Sequence, residues 1–270
     1  MTSLYRFYRR GGPARRERPW SDAVTRAAIE AFDPEVTFAP VVAVIAALDE
    51  SESIASVIAE IPPRPCGVEV STLVIDDGST DATAEIAERA GAHVVRLERN
   101  CGHGVALRVG YRLARERGGR FIVTLDGDGQ WNPRELETVL EPVAAGEADM
   151  CIGSRVLGRT ETDDALRQAG VHTFAALVRL LTGASVTDTS SGYRAMRVEV
   201  PATVPQRQAQ YQTSELLIGA LAQGYRVTER PIVMRKRVAG ESKKGNNVLY
   251  GARYARVILS TWWRERATLR

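Results

Sequence analysis

The feature that most constrains the fold is an alternation of short apolar runs with amphipathic segments between residues 40 and 152. The apolar runs at residues 41–47, 70–75, 92–97, 121–125 and 150–152 predict buried strands. The intervening segments predict helices near residues 52–61, 80–91 and 103–117 and after Pro133. Alternating strands and helices form right-handed βαβ units around a parallel sheet. We therefore predict an α/β fold in which a mostly parallel, Rossmann-like sheet carries helices on both faces.

Acidic residues follow three of the predicted strands. They are Asp49-Glu50, Asp76-Asp77 and the pair Asp126 and Asp128. In open sheets of this kind, ligands bind in the crevice beyond the carboxyl ends of the strands. The three acidic turns are therefore predicted to meet at one edge of the sheet and to form a ligand site.

The sequence Asp126-Gly127-Asp128-Gly129-Gln130 directly follows the apolar run of the strand predicted at residues 121–125. The two-residue period of an extended chain places Asp126 and Asp128 on one side, where two carboxylates repel each other unless a cation lies between them. Carboxylates, an amide such as Gln130 and substrate phosphates are the oxygen ligands that Mg²⁺ and Mn²⁺ prefer. The pattern indicates a metal–diphosphate site, although an isolated Asp-x-Asp also occurs as a plain polar turn.

Composition and cysteine usage exclude several classes of protein. With 44% hydrophobic and 26% charged residues, the chain of 270 residues is globular material for one large domain or two small ones. No run approaches the ~20 apolar residues of a membrane span, and no apolar signal segment follows the N-terminal arginines. Cys66, Cys101 and Cys151 are far apart and lack Cys-x-x-Cys spacing, so we expect neither a disulfide framework nor a thiolate metal site. These features predict a protein of the reducing cytoplasm.

Both ends of the chain are basic, although the net charge is only +3. Residues 1–20 carry six arginines and one glutamate, and residues 235–270 carry ten basic residues and two glutamates, which leaves a net charge of −10 for the middle. The pattern predicts a basic arm with a short helix at residues 1–39 and the main domain at residues 40–247. An amphipathic helix is predicted at residues 248–270.

That C-terminal segment has a narrow polar stripe on an otherwise apolar helix. The stripe consists of Arg253, Arg256, Ser260 and Arg264, and the paired Trp262 and Trp263 lie on the apolar side. Such a helix is typical of proteins that lie on an anionic membrane surface without spanning the bilayer. The alternative is a helix docked on its own domain or on a second copy of the chain.

Motifs within residues 40–245 occur in the order found in one enzyme family. They are VIAALDE at residues 44–50, VIDDGSTD at 74–81, NCGHG at 100–104, LDGDGQ at 125–130, GSR at 153–155, DTSSGYR at 188–194, ERPI at 229–232 and RVAGESK at 237–243. Together they resemble the family 2 glycosyltransferases with the GT-A fold. The last three motifs are similar to the polyprenyl-phosphate sugar synthases, the branch of dolichol-phosphate mannose synthase. A lysine common in the family after Asn-x-Gly is replaced here by His103.

The resemblance implies roles for the matching residues. Catalytic roles fall to Asp126, Asp128 and Arg155, and Mg²⁺ or Mn²⁺ would be held by Asp126, Asp128 and Gln130. Nucleotide-sugar binding would involve Glu50, Asp76, Asp77, Gly102 and Asp126. The acceptor phosphate would be bound by Arg155, Arg167, Arg237 and Lys243, because cationic side chains, and planar guanidinium groups above all, suit phosphate. Glu215 is expected to position Arg155 or the acceptor, or to form a structural pair.

The activity that the resemblance implies is inverting, metal-dependent transfer of a sugar from GDP-mannose or a UDP-hexose to a polyprenyl phosphate. A phosphate acceptor is already ionised at neutral pH, so no general base is needed to activate it. Two alternatives remain open: a GT-A glycosyltransferase with a soluble or protein hydroxyl acceptor, and a non-catalytic protein that binds nucleotide sugar or membrane. The expected partners are the nucleotide sugar, the lipid phosphate and the inner face of the membrane, reached from the cytoplasm. A homodimer is left open, and no nucleic acid is expected.

Overall fold

The computed structural model describes residues 23–162, 164–237 and 247–269, with only the backbone described at residues 165, 167 and 247–250. Two predictions fall outside this range, namely the basic arm up to residue 22 and the role of Lys243. Arg167 is located by its backbone alone.

Strands and helices alternate along the described residues. The strands are β1 Val41–Ala47, β2 Val70–Asp76, β3 His93–Arg96, β4 Phe121–Asp126, β5 Met150–Thr160, β6 Arg194–Arg197 and β7 Val227–Met234. The helices are α1 Ala23–Ala31, α2 Ile54–Ala59, α3 Thr83–Arg89, α4 His103–Glu116, α5 Leu136–Ala144, α6 Ala165–Thr182, α7 Glu199–Thr203, α8 Gln212–Ala222 and α9 Asn247–Glu265. The five strands predicted from the apolar runs are all present.

The strands form one sheet in the order β3-β2-β1-β4-β6-β5-β7. β1 pairs in parallel with β2 and β4, β2 pairs in parallel with β3, and β5 pairs in parallel with β7. Only β6, among these strands, runs antiparallel to its neighbours β4 and β5. The predicted mostly parallel sheet is therefore confirmed.

Helices cover both faces of the sheet, as the alternation predicts. In β1, Val42 and Val44 belong to a core cluster shared with α4 and α8, whereas Val41 and Ile45 belong to a second cluster shared with α2 and α5. All seven residues of β1 are buried. A central strand covered on both sides has no solvent-facing position, which explains its unbroken apolar run.

β5 is longer than its apolar run predicts. The run ends at Ile152, but pairing with β7 continues through a register break between Ser154 and Arg159 and reaches Thr160. The residues added are half-buried or exposed for the most part, so they carry no apolar pattern. Arg155 lies on β5, and the added residues 156–160 continue the strand beyond it.

The helices at the two ends of the described chain pack against the main domain. Ile29 of α1 lies in the same core cluster as α4, and Tyr254 and Ile258 of α9 lie in that cluster as well. One face of α9 is therefore docked on its own domain, which is one of the two alternatives that the sequence leaves open. Leu259 and Trp263 on its other face remain exposed.

Arg264 differs from its predicted place on the polar stripe of α9. Its side chain is only 21% exposed, and Nη1 lies 2.9 Å from Glu215 Oε1 of α8. The remaining stripe residues Arg253, Arg256 and Ser260 are exposed. Among the helices of the described residues, none has the length and apolar character needed to cross a membrane.

Candidate active site

A cleft of about 910 Å³ opens at the carboxyl ends of β1, β2 and β4. Two groups of residues line it. The polar group follows the three strands or begins α4, and it includes Glu50, Asp77, Asn100, Gly102, His103, Asp126, Asp128 and Gln130. The largely apolar group comes from α6, α9 and the residues before α8, and it includes Leu166, Ala169, Val171, Phe174, Tyr211 and Tyr254. Acidic residues from all three predicted turns thus meet in one cleft with an apolar wall.

Asp126 is the last residue of β4, and donors face both of its carboxylate oxygens. Trp131 Nε1 donates to Oδ2 at 2.9 Å, and His103 Nε2 lies 3.3 Å from Oδ1. On the other side of the imidazole ring, Gln212 Nε2 lies 3.2 Å from His103 Nδ1. The carboxylate of Asp126 is therefore held in a fixed orientation at the end of its strand.

Asp128 follows two residues later and is almost completely buried. Its Oδ1 accepts the backbone N–H of Gln130 at 3.0 Å, and its Oδ2 accepts from Arg237 Nη2 at 2.7 Å. Arg237 Nη1 lies 3.5 Å from Glu50 Oε1. A guanidinium therefore lies between a carboxylate that follows β1 and one that follows β4, so this part of the cleft already accommodates a positive charge.

The oxygen donors of this region fit a hard divalent ion. Across residues 23–162, 164–237 and 247–269, no group of three or more His, Cys, Asp and Glu side chains could hold a metal without other ligands. Mg²⁺ usually takes only one or two protein carboxylates when substrate phosphates and water complete its shell. Because Asp126, Asp128 and Gln130 all line the cleft, they could hold such an ion together with a diphosphate.

Asp77 links the turn after β2 to the start of α4. Its Oδ1 accepts the backbone N–H of Cys101 at 2.7 Å, and its Oδ2 accepts the backbone N–H of Gly102 at 2.9 Å. Burial raises the pKa of Asp77, although the two backbone N–H groups favour its ionised form. Gly102 has a φ of +99°, which residues with a side chain rarely adopt. The pair therefore fixes the position of the N-terminal end of α4.

Asp76 does not lie where the sequence predicts. It is fully buried, it does not line the cleft, and its Oδ1 accepts the backbone N–H of Ser79 at 2.9 Å. Its Oδ2 lies 3.5 Å from Arg96 Nε. Neighbouring residues at a strand end point to opposite sides. Asp77 therefore faces the cleft while Asp76 closes the turn from within, and a nucleotide-binding role for Asp76 is not supported.

Arg155 lines the cleft, and a buried carboxylate orients it. Arg155 Nε and Nη2 donate to the two carboxylate oxygens of Asp188 at 2.7 and 3.0 Å, and Nη2 also donates to Ser190 Oγ at 2.6 Å. The guanidinium lies 5.5 Å from the ring centroid of Trp131. Asp188 is fully buried, so this bidentate pair balances the charge of Arg155 and fixes the plane of its guanidinium.

Glu229 of β7 holds the segment that carries Asp188. Its Oε1 accepts the backbone N–H of Asp188 at 3.0 Å, and its Oε2 accepts the backbone N–H of Thr187 at 2.8 Å. Burial raises the pKa of Glu229, and the hydrogen bonds from Thr187 and Asp188 oppose that rise. Glu229 thus acts on the orientation of Arg155 through Asp188, which contacts both residues.

The apolar wall of the cleft is built from aromatic rings between α6 and α9. The ring centroids of Phe174 and Tyr254 are 4.6 Å apart, and those of Tyr211 and Tyr254 are 5.8 Å apart. Leu166 on the same wall is 61% exposed. This wall therefore continues from the cleft to solvent as an apolar surface.

The structure brings most of the predicted site residues together, with some exceptions. Glu50, Asp77, Gly102, Asp126, Asp128, Gln130 and Arg155 line the cleft, and Arg237 contacts two of them. Arg167 lies near the start of α6, beside the apolar wall. Glu215 accepts from Arg264, whereas Asp188 is the partner that orients Arg155, so of the roles considered for Glu215 the structural pair is the one found.

His103, Trp131, Asp188 and Glu229 take part in the contacts of the site without a role predicted from the sequence. Asp188 and Glu229 begin the motifs DTSSGYR and ERPI, so the sequence indicates that these positions matter but does not predict which residues they contact. Nothing in the sequence indicates that Trp131 donates to Asp126, because the contact depends on how the turn after β4 folds back.

Comparison with known proteins places the chain in a family. Residues 43–202 match the family model "Glycosyl transferase family 2". A dolichyl-phosphate hexose transferase of Haloferax volcanii is 36% identical over 77% of this chain and 88% of its own length. A polyprenol monophosphomannose synthase of Mycolicibacterium smegmatis is 34% identical over 67% of this chain and 72% of its own. An undecaprenyl-phosphate mannosyltransferase of Micrococcus luteus is 29% identical over 77% and 89%, respectively.

Solved structures support the same conclusion at the level of fold. Glucosyl-3-phosphoglycerate synthase from Mycobacterium tuberculosis, crystallised with Mn²⁺, UDP and glucosyl-3-phosphoglycerate, superposes with a TM-score of 0.67 at 22% identity. The match covers 88% of this chain and 83% of that one. At this identity the likeness concerns the fold alone. The sheet order, the acidic cleft at its carboxyl edge and the family match lead to one conclusion: the chain belongs to glycosyl transferase family 2 and is a glycosyltransferase with the GT-A fold.

Proposed function

We propose that this glycosyltransferase moves a sugar from a nucleotide sugar, GDP-mannose or a UDP-hexose, to a polyprenyl phosphate with the help of Mg²⁺ or Mn²⁺. The observation that carries the proposal is the make-up of one cleft, in which Asp126 and Asp128 share a cavity with the apolar wall of α6 and α9. The carboxylates suit a metal-bound diphosphate, and the apolar wall suits the hydrocarbon part of a lipid phosphate. Three relatives with a polyprenyl lipid in their names support this choice of acceptor.

The polar group of residues is assigned to the donor. The N-terminal end of α4, fixed by Asp77 and Gly102, carries a partial positive charge that favours a diphosphate. Asp128, with Asp126 and Gln130, would hold the divalent ion, which supplies Lewis-acid stabilisation of the charge that develops on the departing nucleoside diphosphate. The structural neighbour that binds Mn²⁺ and UDP supports this assignment.

The transfer itself needs no base from the protein. An ionised oxygen of the acceptor phosphate forms the new bond to the anomeric carbon, while the bond from that carbon to the diphosphate oxygen breaks and its electron pair leaves with the nucleoside diphosphate. One displacement inverts the anomeric configuration. The protein therefore has to align the two phosphates and stabilise charge rather than move a proton.

Arg237 and Arg155 are assigned different parts in binding the acceptor phosphate. Asp188 already balances the charge of Arg155, so Arg155 contributes a guanidinium of fixed position and plane more than net charge. Arg237 lies beside Asp128 and supplies the charge once that carboxylate is engaged elsewhere. Arg167 and Lys243 remain proposed additional cations for the same phosphate.

The apolar wall and the exposed face of α9 are assigned to the membrane. Trp263 is 63% exposed and Leu259 is 46% exposed, and Arg253 and Arg256 lie on the same side of the helix. Aromatic and aliphatic side chains beside arginines are typical of helices that lie at the headgroup level of an anionic leaflet. We propose that this face brings the mouth of the cleft to the inner surface of the membrane, where the phosphate of a polyprenyl lipid is found.

The proposal is tested by incubating the purified protein with radiolabelled GDP-mannose, UDP-glucose or UDP-N-acetylglucosamine, Mn²⁺ and polyprenyl phosphate in detergent. A lipid-linked sugar that is labile to mild acid is the expected product. Asp128→Asn under the same conditions is the negative control, because it retains the shape of the side chain.

Parallel reactions with 3-phosphoglycerate or simple sugars as acceptors distinguish the remaining alternatives. Transfer to these hydroxyl acceptors without transfer to the lipid would replace the proposed acceptor. Donor binding by calorimetry without transfer to any acceptor would favour the non-catalytic alternative.

A further inference from the structure

The segment at residues 205–209, between α7 and α8, lies directly against the first turns of α4. The backbone N–H of Gly104 donates to Ala209 O at 2.8 Å, and Arg108 Nη1 donates to Gln208 O at 2.9 Å. A Cβ at Gly102 would lie 2.8 Å from Ala209 O, and a Cβ at Gly104 would collide with Gln208 O. The two glycines therefore allow this segment to approach the start of the helix closely.

A buried carboxylate fastens the same segment from the other side. Glu215 of α8 is fully buried, and its Oε2 accepts the backbone N–H groups of Arg207 and Gln208 at 2.8 and 2.9 Å. Its Oε1 accepts from Arg264 Nη1 of α9 at 2.9 Å. Arg264 Nη2 also donates to Pro205 O at 3.1 Å. One ion pair thus holds the segment at Pro205 and at Arg207 and Gln208.

The ion pair is well built by the usual criteria for buried charges. Burial alone would lower the pKa of Arg264, but its hydrogen bonds with Glu265 and Glu215 raise the pKa above its usual value. Removal of either partner from a buried, hydrogen-bonded ion pair is strongly destabilising, because the other charge is left without compensation. Its geometry therefore fixes the position of α9 relative to residues 205–209.

We propose that Glu215 and Arg264 are positioning residues that couple the C-terminal helix α9 to the donor end of the cleft. The chain of contacts runs from Arg264 to Glu215, then through the backbone of residues 207–209 to Gly104. Gly102, two residues before Gly104, donates to Asp77 in the cleft. The position of α9 on the main domain therefore determines where the N-terminal end of α4 lies relative to the donor diphosphate. Both residues lie beyond residues 43–202, to which the family model extends.

The coupling has a consequence for the reaction. If α9 lies on the membrane, its attachment stabilises the arrangement of residues 205–209 that the donor site requires, so the donor is bound most tightly when the acceptor surface is present. This consequence rests on the proposed function. The contact chain itself is a property of the fold and is tested separately.

The first experiment measures hydrogen–deuterium exchange of the full chain carrying Arg264→Met. Peptides that contain residues 205–209 and residues 100–106 are expected to exchange faster, whereas peptides from β1 and β4 are expected to keep their protection. Arg266→Met is the matched control in the turn directly after the same helix, because Arg266 donates to Trp263 O at 2.9 Å and stacks on its ring instead of contacting Glu215. Uniformly faster exchange in all peptides, or unchanged exchange at residues 100–106, would overturn the coupling.

The second experiment measures affinity for the nucleoside diphosphates GDP and UDP with Mn²⁺ by calorimetry. Arg264→Met is expected to weaken binding of the preferred nucleotide about fivefold to tenfold, a typical coupling between distant sites, and Arg266→Met to leave it unchanged. Arg264→Lys keeps the charge and is expected to recover most of the affinity. If Arg264→Met does not fold, Glu215→Gln replaces it, because this change removes the charge of the partner and keeps the shape of the side chain.

The outcomes separate the coupling from the proposed function. Unchanged nucleotide affinity with a lowered melting temperature in Arg264→Met, or the same weakening in Arg264→Lys as in Arg264→Met, would show that the ion pair is structural only. If neither nucleotide binds the unmodified protein, the donor assignment fails while the exchange experiment still decides the contact chain.

Discussion

Arg237 Nη2 lies 2.7 Å from Asp128 Oδ2, so an arginine from the segment after β7 neutralises the carboxylate that follows β4. The same guanidinium lies 3.5 Å from Glu50 Oε1, and its side chain is only 19% exposed. A cation in this position relieves the repulsion between carboxylates that the sequence places at neighbouring strand ends. A divalent ion bound by Asp128 would compete for the same oxygen.

Asp128→Asn is expected to lower the rate of sugar transfer by about a hundredfold, because one charge is lost from the group that stabilises the departing diphosphate. Removal of divalent ions with excess chelator is expected to abolish transfer, and Mn²⁺ or Mg²⁺ is expected to restore it. Steady-state rates with saturating donor and acceptor measure both effects. Near-normal turnover of Asp128→Asn, or full activity in chelator, would contradict a metal at this position.

Arg237→Met is expected to tighten Mn²⁺ binding about threefold to tenfold, because a partly buried cation no longer competes for Asp128. The same variant is expected to raise the KM for the lipid phosphate, since the acceptor loses its main cation. Titration of Mn²⁺ followed by electron paramagnetic resonance measures the first effect without any turnover. Arg235→Met is the control, because Arg235 lies two residues earlier and its Nη1 pairs with Glu60 Oε2 at 2.8 Å instead. Weaker Mn²⁺ binding in Arg237→Met would mean that the arginine supports the ion rather than competing with it.

The sequence predicts the half of the fold that depends on local patterns. The apolar runs of β1, β2, β3 and β4 mark buried parallel strands because both faces of the sheet are covered, and an unbroken run is the signature of that burial. The convergence of Asp77, Asp126 and Asp128 follows directly from strand direction, since all parallel strands end at one edge. β6 could not be predicted in the same way, because a strand of four residues is too short to show an apolar run or an alternation of apolar and polar residues.

The pairings inside the site could not be predicted because they join residues far apart in sequence. Arg155 pairs with Asp188 and Glu215 pairs with Arg264, and in each case several charged residues would have satisfied the sequence equally well. Arg264 illustrates the difficulty, because its spacing from Arg256 and Ser260 predicts an exposed stripe. Successive residues of a helix are rotated by about 100° around its axis. A smaller rotation of the helix decides whether such a side chain faces solvent or a buried carboxylate.

Glu229→Gln is expected to raise the KM for the lipid phosphate roughly tenfold and to leave donor affinity unchanged. The reason is that one of the two backbone N–H groups that donate to Glu229 loses its ionised acceptor. The segment that carries Asp188 is then held less firmly, and Arg155 loses its fixed orientation. Initial rates as a function of lipid, together with calorimetry of donor binding, separate the two quantities. Glu147→Gln is the control, since Glu147 is an exposed carboxylate 3.9 Å from Arg230 on the same strand β7. A fall in donor affinity in step with activity would place Arg155 on the donor side.

Asp77→Asn is expected to change the pH dependence of stability in a direction fixed by the raised pKa of Asp77. A carboxyl group whose folded pKa lies above its unfolded value contributes most to stability below the unfolded pKa, and this contribution is lost as the pH rises through the folded pKa. The free energy of unfolding of the unmodified protein minus that of Asp77→Asn is therefore expected to fall as the pH is raised from just below 4, the ordinary value of the group. Urea denaturation at a series of pH values measures this difference. A difference that grows with pH would show that the hydrogen bonds from Cys101 and Gly102 outweigh burial.

Membrane attachment through α9 is best tested on its exposed face. Removing the helix would expose the core, because Tyr254, Val257 and Ile258 are buried against the domain. Point changes that leave these residues in place avoid this problem, and they separate the electrostatic contribution from the apolar one.

Arg253→Gln with Arg256→Gln is expected to weaken binding to anionic liposomes by ~1 kcal/mol for each arginine, and the loss is expected to vanish at high salt, where the Debye length falls to about 3 Å. Leu259→Ser with Trp263→Ser is expected to weaken binding about equally at low and high salt, because burial of apolar area at ~25 cal/mol per Å² is not screened. Flotation of the protein with liposomes at 50 mM and 1 M salt, both chosen on the basis of that screening length, measures the two contributions. Both double variants are expected to lose more activity on a long polyprenyl phosphate in liposomes than on a short soluble analogue, since only the long lipid has to be reached at a surface. Unchanged flotation of all variants, with melting temperatures also unchanged, would contradict membrane attachment through the exposed face of α9 and leave docking on the main domain as the role of the helix.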